Sequence, residues 1–227
     1  MSTAEVLVRC TDVSRTFGSG PTAVVAVHGS TCDVAAGARI AITGSSGSGK
    51  STLLHLMAGL EEPTGGRVCW PSLADDVYRR AAQIGVIFQS PSLIPALDVT
   101  ENVALPLVLA GVDTTSAAGG ARLAESLAAV GLADLAVKLP EELSGGQAQR
   151  IAVARVLAQR PALILADEPT GQLDHISGQH VIDVLLSAAD QLRAALVIAT
   201  HDPAVAERMH TQWAMHNGRQ IIAGQPS

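Results

Sequence analysis

The sequence predicts an α/β fold built on a mainly parallel sheet with helices on both faces. Short β-rich runs alternate with helical ones along the chain, the pattern that βαβ units leave in a sequence. Three of those runs, Arg39–Thr43, Leu163–Ala166 and Leu196–Ala199, are short and largely aliphatic, as central parallel strands buried on both faces require. Ligands of open α/β sheets bind beyond the carboxyl ends of the strands. The residues that follow the three runs, Gly44 to Thr52, Asp167-Glu168 and His201-Asp202, are therefore expected to converge on one crevice.

Composition bounds what such a fold can do. Hydrophobic residues make up 48% of the 227 positions and charged residues 16%, so the chain can bury a core and is not disordered. Mean hydropathy is positive, at +0.30. Even so, uncharged stretches such as 103–112 fall well short of the roughly 20 residues of a spanning helix. The net charge of -6, with no basic stripe and only two Phe, two Trp and one Tyr, argues against nucleic acid as a partner. Cys10, Cys32 and Cys69 are odd in number and form no Cys-x-x-Cys pair, which fits a reducing compartment, argues against zinc and predicts small core residues. Met1 to Glu5 show no basic segment leading into an apolar one, so no secretory signal is expected and the chain is placed in the cytoplasm.

Between Ser90 and Leu143 the pattern becomes Ala- and Leu-rich and helical, with Pro91, Pro95, Pro106 and Pro140 predicted as stops and Gly119-Gly120 as a break. This stretch is predicted to be a helical insert. The short apolar segment Leu93-Ile94-Pro95-Ala96-Leu97 inside it is expected in a loop, where another surface would cover it.

The chemistry concentrates in Gly44-Ser45-Ser46-Gly47-Ser48-Gly49-Lys50-Ser51-Thr52. This run satisfies the pattern Gly-x-x-x-x-Gly-Lys-Ser/Thr and lies between a predicted strand and a helical run, Ser51 to Leu60, the context such a phosphate-binding loop needs. Its glycines let main-chain N–H groups turn toward phosphate oxygens, and the following helix adds the positive end of its dipole. Lys50 would reach the β and γ phosphates of ATP and the Ser51 hydroxyl would ligate Mg²⁺.

Asp167 and Glu168 close the second of the three strands. Successive side chains at a strand end point in different directions, so Asp167 can hold the magnesium shell while Glu168 orients an attacking water. Phosphoryl transfer depends on such positioning and charge neutralisation more than on covalent catalysis.

Leu143-Ser144-Gly145-Gly146-Gln147 resembles the signature motif of ABC-type ATPases. Further motifs of that family stand in the expected order: Gln89 after Ile84 to Phe88, Asp167-Glu168-Pro169-Thr170, Gly171-Gln172-Leu173-Asp174, and His201. The resemblance covers essentially the whole chain. It implies a P-loop NTPase, RecA-like core over 1–89 and 151–227, an N-terminal antiparallel β portion, and an inserted α-helical subdomain over 90–150 that carries the signature.

The resemblance further implies two ATPs sandwiched in a homodimer, each facing Ser144, Gly145, Gly146 and Gln147 of the opposite copy. Gln89 would serve as magnesium and water ligand and as the link to a transmembrane permease, His201 as a γ-phosphate contact, Asp174 as a cross-dimer element and Phe17 as the ring that stacks on adenine. Glu168, His201, Gln89 and Lys50 form the implied catalytic set. The permease would hold the chain at the cytoplasmic face of the cell membrane, with 93–97 docking its coupling helix. Within the family, Ala166 to Asp174 and Phe88 to Val103 most resemble the lipoprotein-release and macrolide-export branch. A non-transport ABC ATPase driving a cell-division or signalling complex is the alternative. The sequence departs from the family at Ser45, where proline is common, at Ala148, where glutamine is common, and in a shortened stretch from Gly66 to Gln89 that puts a hairpin there in doubt. Independently of any family, Ser144 suits an N-cap for the run Gln147 to Gln159.

Overall fold

The computed structural model describes residues 5–221. The chain divides into two compact units, one of Met1–Ala74, Leu165–Glu168 and Ala195–Ser227, the other of Asp75–Ile164 and Pro169–Ala194.

In the first unit, β1 (Val6–Phe17) and β2 (Val24–Ala35) pair antiparallel, and β4 (Gly65–Cys69) pairs antiparallel with the other edge of β1. This is the antiparallel portion that the family resemblance implied. Cys10 faces Cys32 across the β1–β2 ladder. Only Cys10 is fully buried; Cys32 and Cys69 are half-buried, because β2 and β4 flank β1 and each leaves one edge unpaired within that sheet. The expectation of three core cysteines thus holds for one.

The parallel sheet is centred on β3 (Arg39–Thr43), with β7 (Ala195–Thr200) on one side and β8 (Thr211–His216) on the other, both parallel to it. The final strand, β9 (Arg219–Ile221), is antiparallel to β8. Every residue of β7 is buried and so are Arg39 to Ile42 of β3, which is why these runs read as unbroken aliphatic stretches rather than as alternating ones. The register sets Thr43 opposite Thr200, so both strands end on one line and release the loops that follow from the same edge. Residues 165–167 of β6 (Leu163–Asp167), also fully buried, belong to this unit. Helix α1 (Lys50–Ala58) buries Leu53, Leu54, Leu56 and Met57, and the short α7 (Pro203–Ala206) begins just after β7.

The second unit is mostly helical: α2 (Val77–Gln83), α3 (Val99–Leu109), α4 (Ala117–Ala129), α5 (Gly145–Gln159) and α6 (His175–Leu192), together with β5 (Ile84–Ile87). Helix α5 packs against α3, α4, α6 and β5, and its buried face, Ile151 to Ala154 with Val156 to Ala158, forms the core of the unit. Polar side chains set the helix starts: Asp98 and Glu101 form a capping box on α3, Ser116 caps α4, Ser144 and Gln147 form a capping box on α5, and Asp174 caps α6. Each cap satisfies an otherwise orphan N–H and is worth about 1 kcal/mol.

The expected effects of Pro106 and of Gly119-Gly120 are corrected by the structure. Pro106 does not stop a helix but lies inside α3; it sits in the last turn, where only the bond to the Asn102 carbonyl is lost. Gly119-Gly120 does not break a helix either, since both residues lie in the first turn of α4. A Cβ on Gly119 would collide with the Asp113 carbonyl oxygen, so the close approach of the preceding loop demands glycine there. Between Cys69 and Ile84 the described residues contain no second strand; α2 is the regular element in that stretch. The shortened segment therefore folds without the doubted hairpin, and Trp70 anchors its start by donating from Nε1 to the Met57 carbonyl at 2.8 Å. The predicted start of the signature helix moves as well, because α5 begins at Gly145, immediately after its cap.

Candidate functional site

The phosphate-loop sequence occupies the turn from β3 into α1, all within the first unit. Gly49 caps α1 at φ 99°, a left-handed conformation open to glycine, and a Cβ there would strike the Ala26 carbonyl. Lys50 is the first residue of α1 and is only 5% exposed. Its ammonium donates to the carbonyl oxygens of Gly44 at 2.9 Å and Ser45 at 3.1 Å, so the side chain folds back over its own loop. Burying an ammonium is costly unless donors find acceptors and a counter-charge stands nearby. The counter-charge is Glu168, whose Oε1 is 3.6 Å from Lys50 Nζ.

Asp167 ends β6 at 6% exposure, and its Oδ1 accepts a 2.9 Å hydrogen bond from the Ser51 hydroxyl. Burial pushes the Asp167 carboxyl above its ordinary range, an effect opposed by the Ser51 hydrogen bond and the nearby His55 and Lys50. Glu168, the next residue, has φ 45°, a left-handed backbone that costs a non-glycine residue of order 1–3 kcal/mol. Its N–H donates to the Ala199 carbonyl at 2.9 Å, tying the end of β6 to β7. That turn separates the directions of the two carboxylates: Asp167 faces Ser51, while Glu168 faces Lys50 and His201.

His201 follows β7 directly. Its Nδ1 lies 2.9 Å from both carboxylate oxygens of Glu168, and its ring is two-thirds exposed, against 11% for the Glu168 side chain. The backbone on either side of the ring is pinned, since Thr200 Oγ1 accepts from Asp202 N and Asp202 Oδ1 accepts from Ala204 N to start α7. A hollow of about 420 Å³ lined by Gly44, Ser45, His201 and Asp202 opens beside these groups.

The structure thus brings Lys50, Ser51, Asp167, Glu168 and His201 together. Phe17, at the end of β1, is 39% exposed, with the Arg15 guanidinium 4.7 Å from the centre of its ring. The remaining motif residues lie in the second unit: Gln89 is exposed just after β5, Ser144 and Gly145 are exposed at the start of α5 with Gly146 and Gln147 half-buried, and Asp174 is exposed at the start of α6. Sequence reasoning missed His55, whose Nε2 is 3.9 Å from Asp167 Oδ2. The signal was present, because His55 is four residues after Ser51 and so shares its helix face.

Residues 27–171 of the chain match the family described as ABC transporter. The chain belongs to the ABC transporter family. It is an ATP-binding, ATP-hydrolysing cassette of that family, and the relatives agree over nearly its full length. An uncharacterized ABC transporter ATP-binding protein of Mycobacterium tuberculosis (strain ATCC 25618 / H37Rv) is 42% identical over 224 residues, covering 96% of this chain and 90% of its own length. The lipoprotein-releasing system ATP-binding protein LolD of Shewanella sp. (strain MR-7) is 41% identical over 223 residues, covering 94% and 95%. Among solved structures, the dimeric post-hydrolysis state of the ATP-binding cassette MJ0796 bound to ADP and Pi superposes with a TM-score of 0.86 at 34% identity, over 95% of this ABC chain and 97% of that one.

Proposed function

We propose that this cassette powers export of lipoprotein-type or related lipid cargo. In this reading it works as a homodimer that closes on two ATPs and drives a separate transmembrane permease at the cytoplasmic face of the cell membrane. The LolD similarity supports the cargo class, and the dimeric cassette neighbour supports the homodimer. Segment 93–97 is the proposed contact with the permease; there Ile94, Pro95 and Ala96 are exposed while Leu93 and Leu97 are half-buried.

One observation carries the reading: a buried lysine held by its own glycine-rich loop, with Glu168 3.6 Å away and a Ser51–Asp167 pair beside it. The residues fit ATP and Mg²⁺. Ser48 Oγ is buried and makes no hydrogen bond among the described residues, while a hydroxyl and a carboxylate are the oxygen donors that magnesium takes. Ser51, Asp167 and Gln89 are the proposed magnesium residues, and the ion when bound would neutralise phosphate charge. Lys50 exchanges its loop carbonyls for β- and γ-phosphate oxygens. Glu168 accepts a hydrogen bond from the attacking water, and His201 holds Glu168 and contacts the γ-phosphate. Main-chain N–H groups of residues 44–52 bind the phosphates, Phe17 stacks on adenine, and Ser144, Gly145, Gly146, Gln147 and Asp174 meet the nucleotide or cassette of the opposite copy.

Calorimetry on Lys50→Ala tests the reading. Loss of the ammonium should weaken ATP binding at least tenfold, and an unchanged affinity would remove Lys50 from the site.

A further inference from the structure

The second unit contains a clamp that the phosphate chemistry does not explain. The segment carrying Gln89 leaves β5 and is held from two helices. On α5, Gln149 is 2% exposed and donates from Nε2 to the Phe88 carbonyl at 3.2 Å. Six residues further along the same helix, Arg155 donates from Nη1 to the Ser92 carbonyl at 3.0 Å and from Nη2 to the Pro91 carbonyl at 3.1 Å. From α3, the fully buried Asn102 accepts from Ile94 N at 2.8 Å and donates to the carbonyls of Ile94, Leu97 and Asp98.

Arg155 is the unusual member. Those two carbonyls are its partners among the described residues, and no carboxylate pairs with it. Burial pushes its guanidinium pKa down, as expected for a cation taken from water without a counter-ion. The carbonyls it grips are successive, and Ser92 sits at φ 51°, a left-handed conformation for a non-glycine residue, with its hydroxyl donating back to the Ser90 carbonyl. A planar guanidinium fork can hold two neighbouring acceptors at once, which a lysine ammonium does with far less orientation. The arrangement commits a half-buried charge to fixing the course of a loop.

Helix α5 is capped by Ser144. At 1.5 Å per residue, Gln149 stands about 7–8 Å and Arg155 about 16 Å along the helix from that cap. We propose that Gln149 and Arg155 are positioning residues that lock the segment 88–92 to the helix capped by Ser144, so that engagement of nucleotide at Ser144 and placement of Gln89 are one movement. The inference rests on the roles proposed above for Gln89 and Ser144.

The test is a mutant cycle on the full chain with three readouts: ATP affinity, kcat and hydrogen exchange of amides 89–93. Arg155→Met should leave ATP affinity within about threefold, lower kcat at least tenfold and speed exchange at 89, 90, 92 and 93 at least tenfold, with Arg155→Lys intermediate. In a Gln89→Ala background, Arg155→Met should cost less than a further twofold in kcat, because both changes act through one side chain. Losses that multiply, or unchanged exchange, overturn the proposal. If Gln89→Ala itself turns over at the parental rate, the role assigned to Gln89 fails, and the exchange readout alone decides whether Arg155 holds the segment. Should Arg155→Met not fold, Arg155→Lys and Gln149→Leu carry the same cycle.

Discussion

His201 Nδ1 lies 2.9 Å from both oxygens of the Glu168 carboxylate. The imidazole is mostly exposed and the carboxylate mostly buried, so the pair reaches from the interior of the site to its mouth. Glu168 is thereby held between two cationic or donor groups, His201 on one side and Lys50 on the other, and its orientation is set before any nucleotide arrives. Orientation of this kind lowers a barrier without adding ground-state affinity.

Replacing His201 should therefore reduce turnover more than binding. His201→Ala is expected to lower kcat by about 10–100-fold with ATP affinity within about threefold. Steady-state kinetics alongside calorimetry checks this, and a loss confined to affinity would make His201 a binding residue only.

Phe17 should contribute through its ring. Stacking of a base on an aromatic face is worth about 1–3 kcal/mol, so Phe17→Ala should weaken ATP about tenfold while Phe17→Tyr stays near parental affinity. The Arg15 guanidinium over the Phe17 ring orients it, and equal weakening by alanine and tyrosine would show that shape rather than stacking is at stake.

Asp174 supplies a pH signature. The Ser177 hydroxyl and N–H hold its carboxyl below the ordinary 3.8, so the folded value is lower than the unfolded one. The ionised cap therefore stabilises fully above the unfolded value, and that stabilisation is lost as pH falls through the folded one. Thermal melts should show Asp174→Ala most deficient relative to the parent at about pH 5 and above, with the gap closing as pH falls below the ordinary 3.8. A gap that widens on acidification would contradict the capping role.

Much of this molecule was legible in its sequence for a physical reason. Strands buried on both faces carry unbroken aliphatic runs, which is why β3, β6 and β7 stood out, and parallel strands present their chemistry at one end, which is why Lys50, Asp167, Glu168 and His201 could be expected together. Local rules failed where tertiary contact overrides them. Gly119 reads as a breaker but is there to admit the Asp113 carbonyl, and Pro106 reads as a stop but falls where one lost bond is tolerable. Arg155 was invisible for another reason: its partners, the carbonyls of Pro91 and Ser92, are far away in sequence. A contact with a main-chain carbonyl leaves no trace in residue type at the acceptor.

The central claim is that Glu168 activates the water that attacks ATP. An amide of the same shape cannot accept the hydrogen bond in the same way, and loss of such a base costs typically 10²–10⁴-fold. The direct measurement is ATP turnover by purified Glu168→Gln, with ATP affinity determined on the same preparation. We expect affinity to be retained and turnover to fall by at least about a hundredfold; hydrolysis at the parental rate would contradict the account.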